Sequence, residues 1–285
     1  MAVLDPRVTP ARPDLAAAHL EGQVEAARFV LGRARAVRAS QASVRQAPAH
    51  GAALLTEALR GELVDVYEDN GEGWSWGQLR SDGYVGWLPS GALGEPSAPL
   101  THRVAALRTL VFPGPSIKLP PVDALSLGSA IAVATIEGSL AVTADGEYLP
   151  AQHLAPLATA DPDFVAVAER FLGTPYLWGG KTSLGIDCSG LVQVALTAAG
   201  KRCPRDSDMQ ERALGTVVGD ASAVARLQRG DLLFWKGHVA IARDASTIVH
   251  ANAHHMAVAI EPAAEAVRRT AAAGVELRSI RRLAP

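Results

Sequence analysis

Apolar and polar positions change texture three times along the chain. From about Phe29 to Leu93, short apolar runs such as Leu63-Val64-Asp65-Val66-Tyr67, Trp74-Ser75-Trp76 and Tyr84-Val85-Gly86-Trp87-Leu88 alternate with Gly, Asn and Asp. Asn70-Gly71 and Asp82-Gly83 fall between these runs as hairpin signals, so the pattern predicts a small β-barrel. A weaker copy runs from about Val104 to Leu157. It has Ala130–Ala134 as a strand, Glu137-Gly138 and Asp145-Gly146 as turns, and Tyr148-Leu149-Pro150 echoing Trp87-Leu88-Pro89. Pro96 and Pro99 mark the boundary between copies, and a repeat of this length implies two sibling domains. Ahead of them, residues 1–13 read as a flexible leader broken by Pro6, Pro10 and Pro13. Asp14 is expected to cap a short helix carrying Leu15, Ala18, Val24 and Ala27 on one face.

After Asp161-Pro162 the period becomes helical, with Phe164, Val165, Ala168, Phe171 and Leu172 on one face. A glycine-rich loop, Thr174 to Gly185, leads to a second helix from about Cys188 to Ala199, stopped by Gly200. Asp231–Trp235, His238–Ala242 and Thr247–Ala251 read as strands, followed by a helix near Pro262–Ala272 and a last strand, Val275–Ile280. Helices followed by consecutive strands give an α+β class with an antiparallel sheet. The expected division is 1–28 leader and short helix, 29–95 and 98–158 the two barrels, and 160–285 a C-terminal domain.

Composition narrows the function classes. The chain of 285 residues is 48% hydrophobic, enough for more than one core. With 27 Lys+Arg against 29 Asp+Glu, no basic field favours nucleic acid or anionic lipid. No stretch approaches the apolar length of a membrane span. The first residues, with Asp5, Arg7 and Arg12, lack the apolar core of a signal peptide. Cys188 and Cys203 are the only cysteines, which fits a reducing compartment, and the expected location is cytoplasmic.

The candidate chemistry centres on Cys188, in Gly185-Ile186-Asp187-Cys188-Ser189-Gly190-Leu191-Val192, where a loop feeds into a helix. The thiolate is the nucleophile, and a helix N-terminus or a nearby imidazolium would lower the thiol pKa. Gly185 and Gly190 are expected to leave room for a substrate backbone. His238 follows Gly237 at the start of a strand, and His250 ends the next one. If the two strands pair through Asp244-Ala245-Ser246, His250 would orient His238, the base, through its second ring nitrogen. The bland alternatives are a buried structural cysteine and ordinary core or surface histidines. His250, His254 and His255 raise a metal alternative, but the stretch reads as strand and loop with no Glu general base between them, so no metal is expected. Cys203, beside Pro204, reads as structural.

Together these residues resemble the NlpC-type peptidases of cell-wall peptides, a papain-like family. The likeness rests on Gly173-Thr174-Pro175-Tyr176-Leu177-Trp178-Gly179-Gly180, Asp187-Cys188-Ser189-Gly190-Leu191-Val192 and Pro204-Arg205-Asp206-Ser207-Asp208-Met209-Gln210. It continues through Gly230–Trp235, Gly237-His238-Val239-Ala240-Ile241 and Val249-His250-Ala251. The resemblance implies a helix bearing the nucleophile Cys188 packed on an antiparallel sheet, with His238 as base and His250 orienting it. Tyr176, Asp187, Ser189 and Ser207 would line the site. The Tyr176 hydroxyl suits a developing oxyanion and the Asp187 carboxylate a substrate ammonium, or else a helix cap.

The N-terminal repeats resemble bacterial SH3 domains, through Val44-Arg45-Gln46-Ala47-Pro48, Gly61-Glu62 and Gly83-Tyr84-Val85-Gly86-Trp87. By that resemblance Glu62 and Tyr84 would join Asp187 in holding the free amine of an L-Ala residue. Their alternatives are a solvated turn residue and a packed barrel residue. The second copy lacks the paired tryptophans, and its expected role is spacing.

The implied activity is hydrolysis of the γ-D-glutamyl bond to meso-diaminopimelate or lysine in murein peptides with a free N-terminus, in peptide recycling. It needs no metal or organic cofactor, and the expected partners are murein-derived peptides, with no nucleic acid and no membrane. An amidase or acyltransferase using the same Cys/His pair, or a non-catalytic wall-binding protein acting through its SH3 domains, are the rivals.

Overall fold

The computed structural model describes residues 4–96 and 98–284, and these divide into two compact units, residues 1–158 and 159–285. Among the described residues no helix is long and apolar enough to cross a membrane.

In the first unit a seven-stranded sheet has the order Leu54–Leu59, Gln41–Arg45, Val85–Pro89, Trp74–Leu79, Leu63–Asp69, Arg33–Val37, Leu93–Gly94. Its alternating positions Val37, Ala42, Val44, Ala58, Val64, Leu79, Tyr84 and Leu88 form one buried core. The turns are those expected: the Asn70 side-chain oxygen accepts from the Glu72 and Trp74 amides, and Gly71 takes φ +72°. Three smaller sheets follow within the same unit, around Val104, Val111, Leu125, Ile131 and Leu149. The run strand, 3-10 turn, strand occurs twice in this unit, as Val85–Pro89, Ser90–Ala92, Leu93–Gly94 and as Tyr148–Pro150, Ala151–His153, Leu154–Pro156. Gly61, at φ +87°, lies so close to Ala130 that a Cβ there would stand 2.3 Å from the Ala130 carbonyl oxygen.

The segment before the first barrel departs from expectation. The helix after Asp14 does not form. Ala16–Ala17 pairs in parallel with Phe29–Val30, and Ala18–Leu20 is one 3-10 turn. The physical reason is that Leu15, Ala16 and Ala17 are all fully buried in succession, which a one-sided helix cannot achieve. Nor is the leader loose, apart from residues 1–3, which lie outside the described residues. The Val85 amide donates to the Arg7 carbonyl, and the Arg12 guanidinium sits 4.4 Å from the Trp76 ring centroid and 5.0 Å from that of Trp87 while pairing with Glu68.

The second unit sets helices beside a six-stranded antiparallel sheet, ordered Thr216–Gly219, Leu277–Arg282, Leu232–Trp235, His238–Ala242, Thr247–Asn252, Ala257–Pro262. The helices are α1 (Phe164–Glu169), α2 (Cys188–Ala198), α3 (Ser207–Ala213) and α4 (Ala263–Ala272). Helix α2 packs on His238–Ala242 and Thr247–Asn252. Ala263 and Ala266 of α4 join a core with Leu233, Trp235, Ala240, Ala242, Ile248 and Ile280. Cover on both faces explains why the central strands read as continuous apolar runs rather than alternating ones. Two edge strands, Thr216–Gly219 and Ala257–Pro262, are not evident in the apolar pattern.

Candidate active site

Helix α2 starts at Cys188 because Asp187, in extended conformation, caps it. Its Oδ1 accepts from the Gly190 amide at 2.7 Å. The same oxygen accepts from Ser189 Oγ at 3.2 Å and Arg205 at 2.9 Å, while Oδ2 accepts from the Gly179 amide and from Arg205, each at 2.8 Å. Arg205 is 1% exposed and also donates to Ser189 Oγ and the Gly180 carbonyl. Five donors thus converge on the two carboxylate oxygens, and Asp187 caps the helix as one of its two expected roles has it. Ser189 is likewise held within this buried cluster. Gln210 of α3 ties it down by donating to the Ser189 and Pro204 carbonyls. Ser207 opens α3 and is half-buried.

The two glycines flanking Cys188 serve the protein's own packing instead of substrate access. A Cβ on Gly190 would lie 2.4 Å from the Gly180 carbonyl oxygen, and one on Gly185 would lie 2.7 Å from Leu177 Cβ.

Cys188 is 6% exposed, and the Val239 amide provides a hydrogen bond to its sulfur. Burial, with the Asp187 charge behind it, pushes the thiol up to about 12. His238 opens the adjoining strand after a two-residue Lys236-Gly237 turn, in which Gly237 has φ +75° and open space beside it. Its Nε2 lies 2.8 Å from Nδ1 of His250, with the two rings tilted at 58°. The two strands pair through Ile241–Val249 and Ala242–Ile248, which brings both histidines to one side. Burial, then the neighbouring His250, lowers the His238 pKa to about 3, and burial also lowers that of His250. Thiol and imidazole are therefore both neutral at rest. Among the described residues no hydrogen bond joins Cys188 Sγ to the His238 ring. The thiol is instead met by the Val239 amide, one residue further along the strand from His238.

Tyr176 is half-buried on the loop before α2, its amide donating to the Met256 carbonyl. Burial pushes its phenol above the usual value, with Cys188 and Asp187 acting in the same direction, so its hydroxyl stays a donor at neutral pH. Trp178 is 68% exposed and does not pack the loop.

Behind His250 stands a residue absent from the sequence expectations. Glu261, 7% exposed on the edge strand Ala257–Pro262, accepts from His250 Nε2 at 2.8 Å and from both terminal nitrogens of Arg269 at 2.5 Å. Burial works to raise its pKa, but Arg269 and His250 together hold it well below the usual carboxylate range. The only trace in sequence is an acidic residue within an apolar run, Ala257-Val258-Ala259-Ile260-Glu261. His250, His255 and Glu261 bring potential ligand atoms within 4.8 Å of one another, leaving His254 out of the group. Arg269 puts a positive charge on that carboxylate and opposes a cation there.

Two expected substrate residues, Tyr84 and Glu62, lie in the first unit. Tyr84 is 3% exposed and packs within the sheet core. Glu62 closes the turn after Leu59, its carboxylate accepting from the Leu59 amide at 2.6 Å.

Comparison with known proteins extends this picture. Residues 44–93 match the bacterial dipeptidyl-peptidase Sh3 domain, and residues 173–275 match the NlpC/P60 family. A gamma-D-glutamyl-L-lysine dipeptidyl-peptidase of Bacillus cereus is 28% identical over 243 residues, covering 73% of this chain and 70% of that protein. One of the same name from Bacillus subtilis is 31% identical over 199 residues, 64% of each chain. A crystal structure of an NlpC/P60 family protein from Bacillus cereus superposes with a TM-score of 0.73 at 21% identity, covering 89% of this chain and 100% of that one, a likeness of fold. The chain is thus a hydrolase, a cysteine peptidase, whose residues 173–275 match the NlpC/P60 family and whose residues 44–93 match a bacterial SH3 domain.

Proposed function

We propose that this peptidase hydrolyses the γ-D-glutamyl bond to meso-diaminopimelate or L-lysine in murein peptides that carry a free N-terminal L-Ala, as in recycling of cell-wall fragments. The observation that carries the chemistry is a cysteine at the start of a buried helix whose sulfur adjoins the strand bearing His238, itself hydrogen-bonded to His250. The bond and the free terminus rest on the names of the two Bacillus relatives.

In this reading the Cys188 sulfur attacks the γ-carbonyl carbon while its proton passes to His238. The Tyr176 hydroxyl donates to the oxyanion. His238 then gives the proton to the departing amine, leaving a thioester on Cys188. Next, His238 takes a proton from water, the hydroxyl adds to the thioester carbonyl, and the thiolate leaves and recovers the proton. We read residues 98–158 as a second SH3-like domain that acts as a spacer.

The test is mass spectrometry of products from L-Ala-γ-D-Glu-diaminopimelate with the wild type and with Cys188→Ser. Release of L-Ala-D-Glu by the wild type alone supports the reading, and an intact tripeptide after prolonged incubation with the wild type refutes it. Cleavage of the N-acetylated tripeptide at an equal rate would remove the free-terminus requirement while leaving the bond assignment standing.

A further inference from the structure

We infer that Glu261 is a positioning residue that fixes the order of protons along His250 and His238, so that His238 presents an unprotonated Nδ1 to the thiol. The inference rests on the peptidase reading for its catalytic consequence, though not for its structural content.

The argument is a count of donors and acceptors. A neutral imidazole has one N–H and one lone pair. Glu261 is ionised, because Arg269 donates to both its oxygens, and an ionised carboxylate can only accept. The 2.8 Å contact from His250 Nε2 to Glu261 Oε1 therefore places the His250 proton on Nε2. His250 Nδ1 is then a lone pair, and its 2.8 Å contact with His238 Nε2 requires the proton of that pair to sit on His238 Nε2. One nitrogen of His238 remains, Nδ1, and it carries the lone pair. If Glu261 were absent, the chain could reverse: His250 would donate from Nδ1, His238 Nε2 would accept, and His238 Nδ1 would bear the proton it must be free to receive.

The surroundings serve the same end. Glu261 is buried, so water does not compete for the His250 proton. Arg269, on α4, prevents the carboxyl from protonating and so from becoming a donor. The ring of Trp235 lies against His238 with centroids 5.5 Å apart, which limits how far that imidazole can turn. A strand at the edge of the sheet thus sets the protonation of a base two strands away.

The test reads tautomers directly, by 15N NMR of histidine-labelled protein, alongside steady-state kinetics. In the wild type at pH 7, His238 should show Nε2 protonated and Nδ1 bare; a proton on Nδ1 overturns the inference whatever the protein cleaves. Glu261→Met removes the acceptor and leaves Arg269 free to turn to solvent. It should shift His238 toward the Nδ1-protonated form and lower kcat by about 10²-fold or more, with KM changed less than about threefold. Glu261→Gln keeps an acceptor oxygen and should restore the wild-type tautomer and most of kcat. An unchanged His238 spectrum together with unchanged kcat in a folded Glu261→Met variant also overturns it. A wild type that cleaves no peptide but shows the stated tautomer would sink the proposed function and leave this inference intact.

Discussion

Arg205, although 1% exposed, gives its two terminal nitrogens to the two oxygens of Asp187, at 2.9 and 2.8 Å, directly beneath the first turn of the helix that carries Cys188. The pair holds the helix cap, the Gly179-Gly180 backbone and Ser189 as one body, so the position of the sulfur depends on it.

Removing the guanidinium leaves a buried carboxylate without its counter-charge, which in comparable buried pairs costs about 3–5 kcal/mol. Arg205→Met should therefore lower the unfolding free energy of the protein by that order, measured by denaturant titration. A loss below about 1 kcal/mol would mean that the helix N-terminus and the amides suffice to hold Asp187.

The buried thiol yields a second expectation. With its pKa raised to about 12 by burial and by Asp187, substrate-free Cys188 is a neutral thiol. In a Cys203→Ala background, its alkylation by iodoacetamide should be slow at pH 7 and climb steadily through the alkaline range. A plateau of reactivity reaching below pH 7 would reveal a thiolate–imidazolium pair already formed at rest.

A third concerns acid. The folded-state pKa of His238 is depressed to about 3, below an ordinary value of about 6.5. The unfolded chain therefore binds more protons between those limits. This stability is fully present above about pH 6.5 and is lost as pH falls toward 3. Each such proton is worth at most ~1.4 kcal/mol per pH unit. His250 shifts in the same direction and adds to the slope. Replacing His238 by Gln should flatten the stability–pH profile between pH 4.5 and 6.5 by up to one proton's worth. An equally steep profile in that variant would locate the acid sensitivity elsewhere.

Much of this arrangement is legible along the chain. The alternation of the first unit, the helix stop at Gly200, the apolar runs of the central strands and the placing of Cys188 at a loop-to-helix junction all arise from local periodicity and turn chemistry. Such signals need only neighbouring residues. The pairing of the His238 and His250 strands follows from the short Asp244-Ala245-Ser246 connection, again a local feature.

What the sequence determined by itself is thus the class of the elements, the family-like order of the motifs and the nucleophile's place at a helix start. Tertiary structure alone decided the partners of the charged and polar groups. It gave Asp187 to Arg205, put Tyr84 in a core, docked Arg12 between two tryptophans, and brought Glu261 from an unforeseen edge strand to His250. Periodicity tells which face of a strand or helix is buried, but which charge meets which depends on how distant segments pack, and a buried charge must find a partner wherever the fold supplies one.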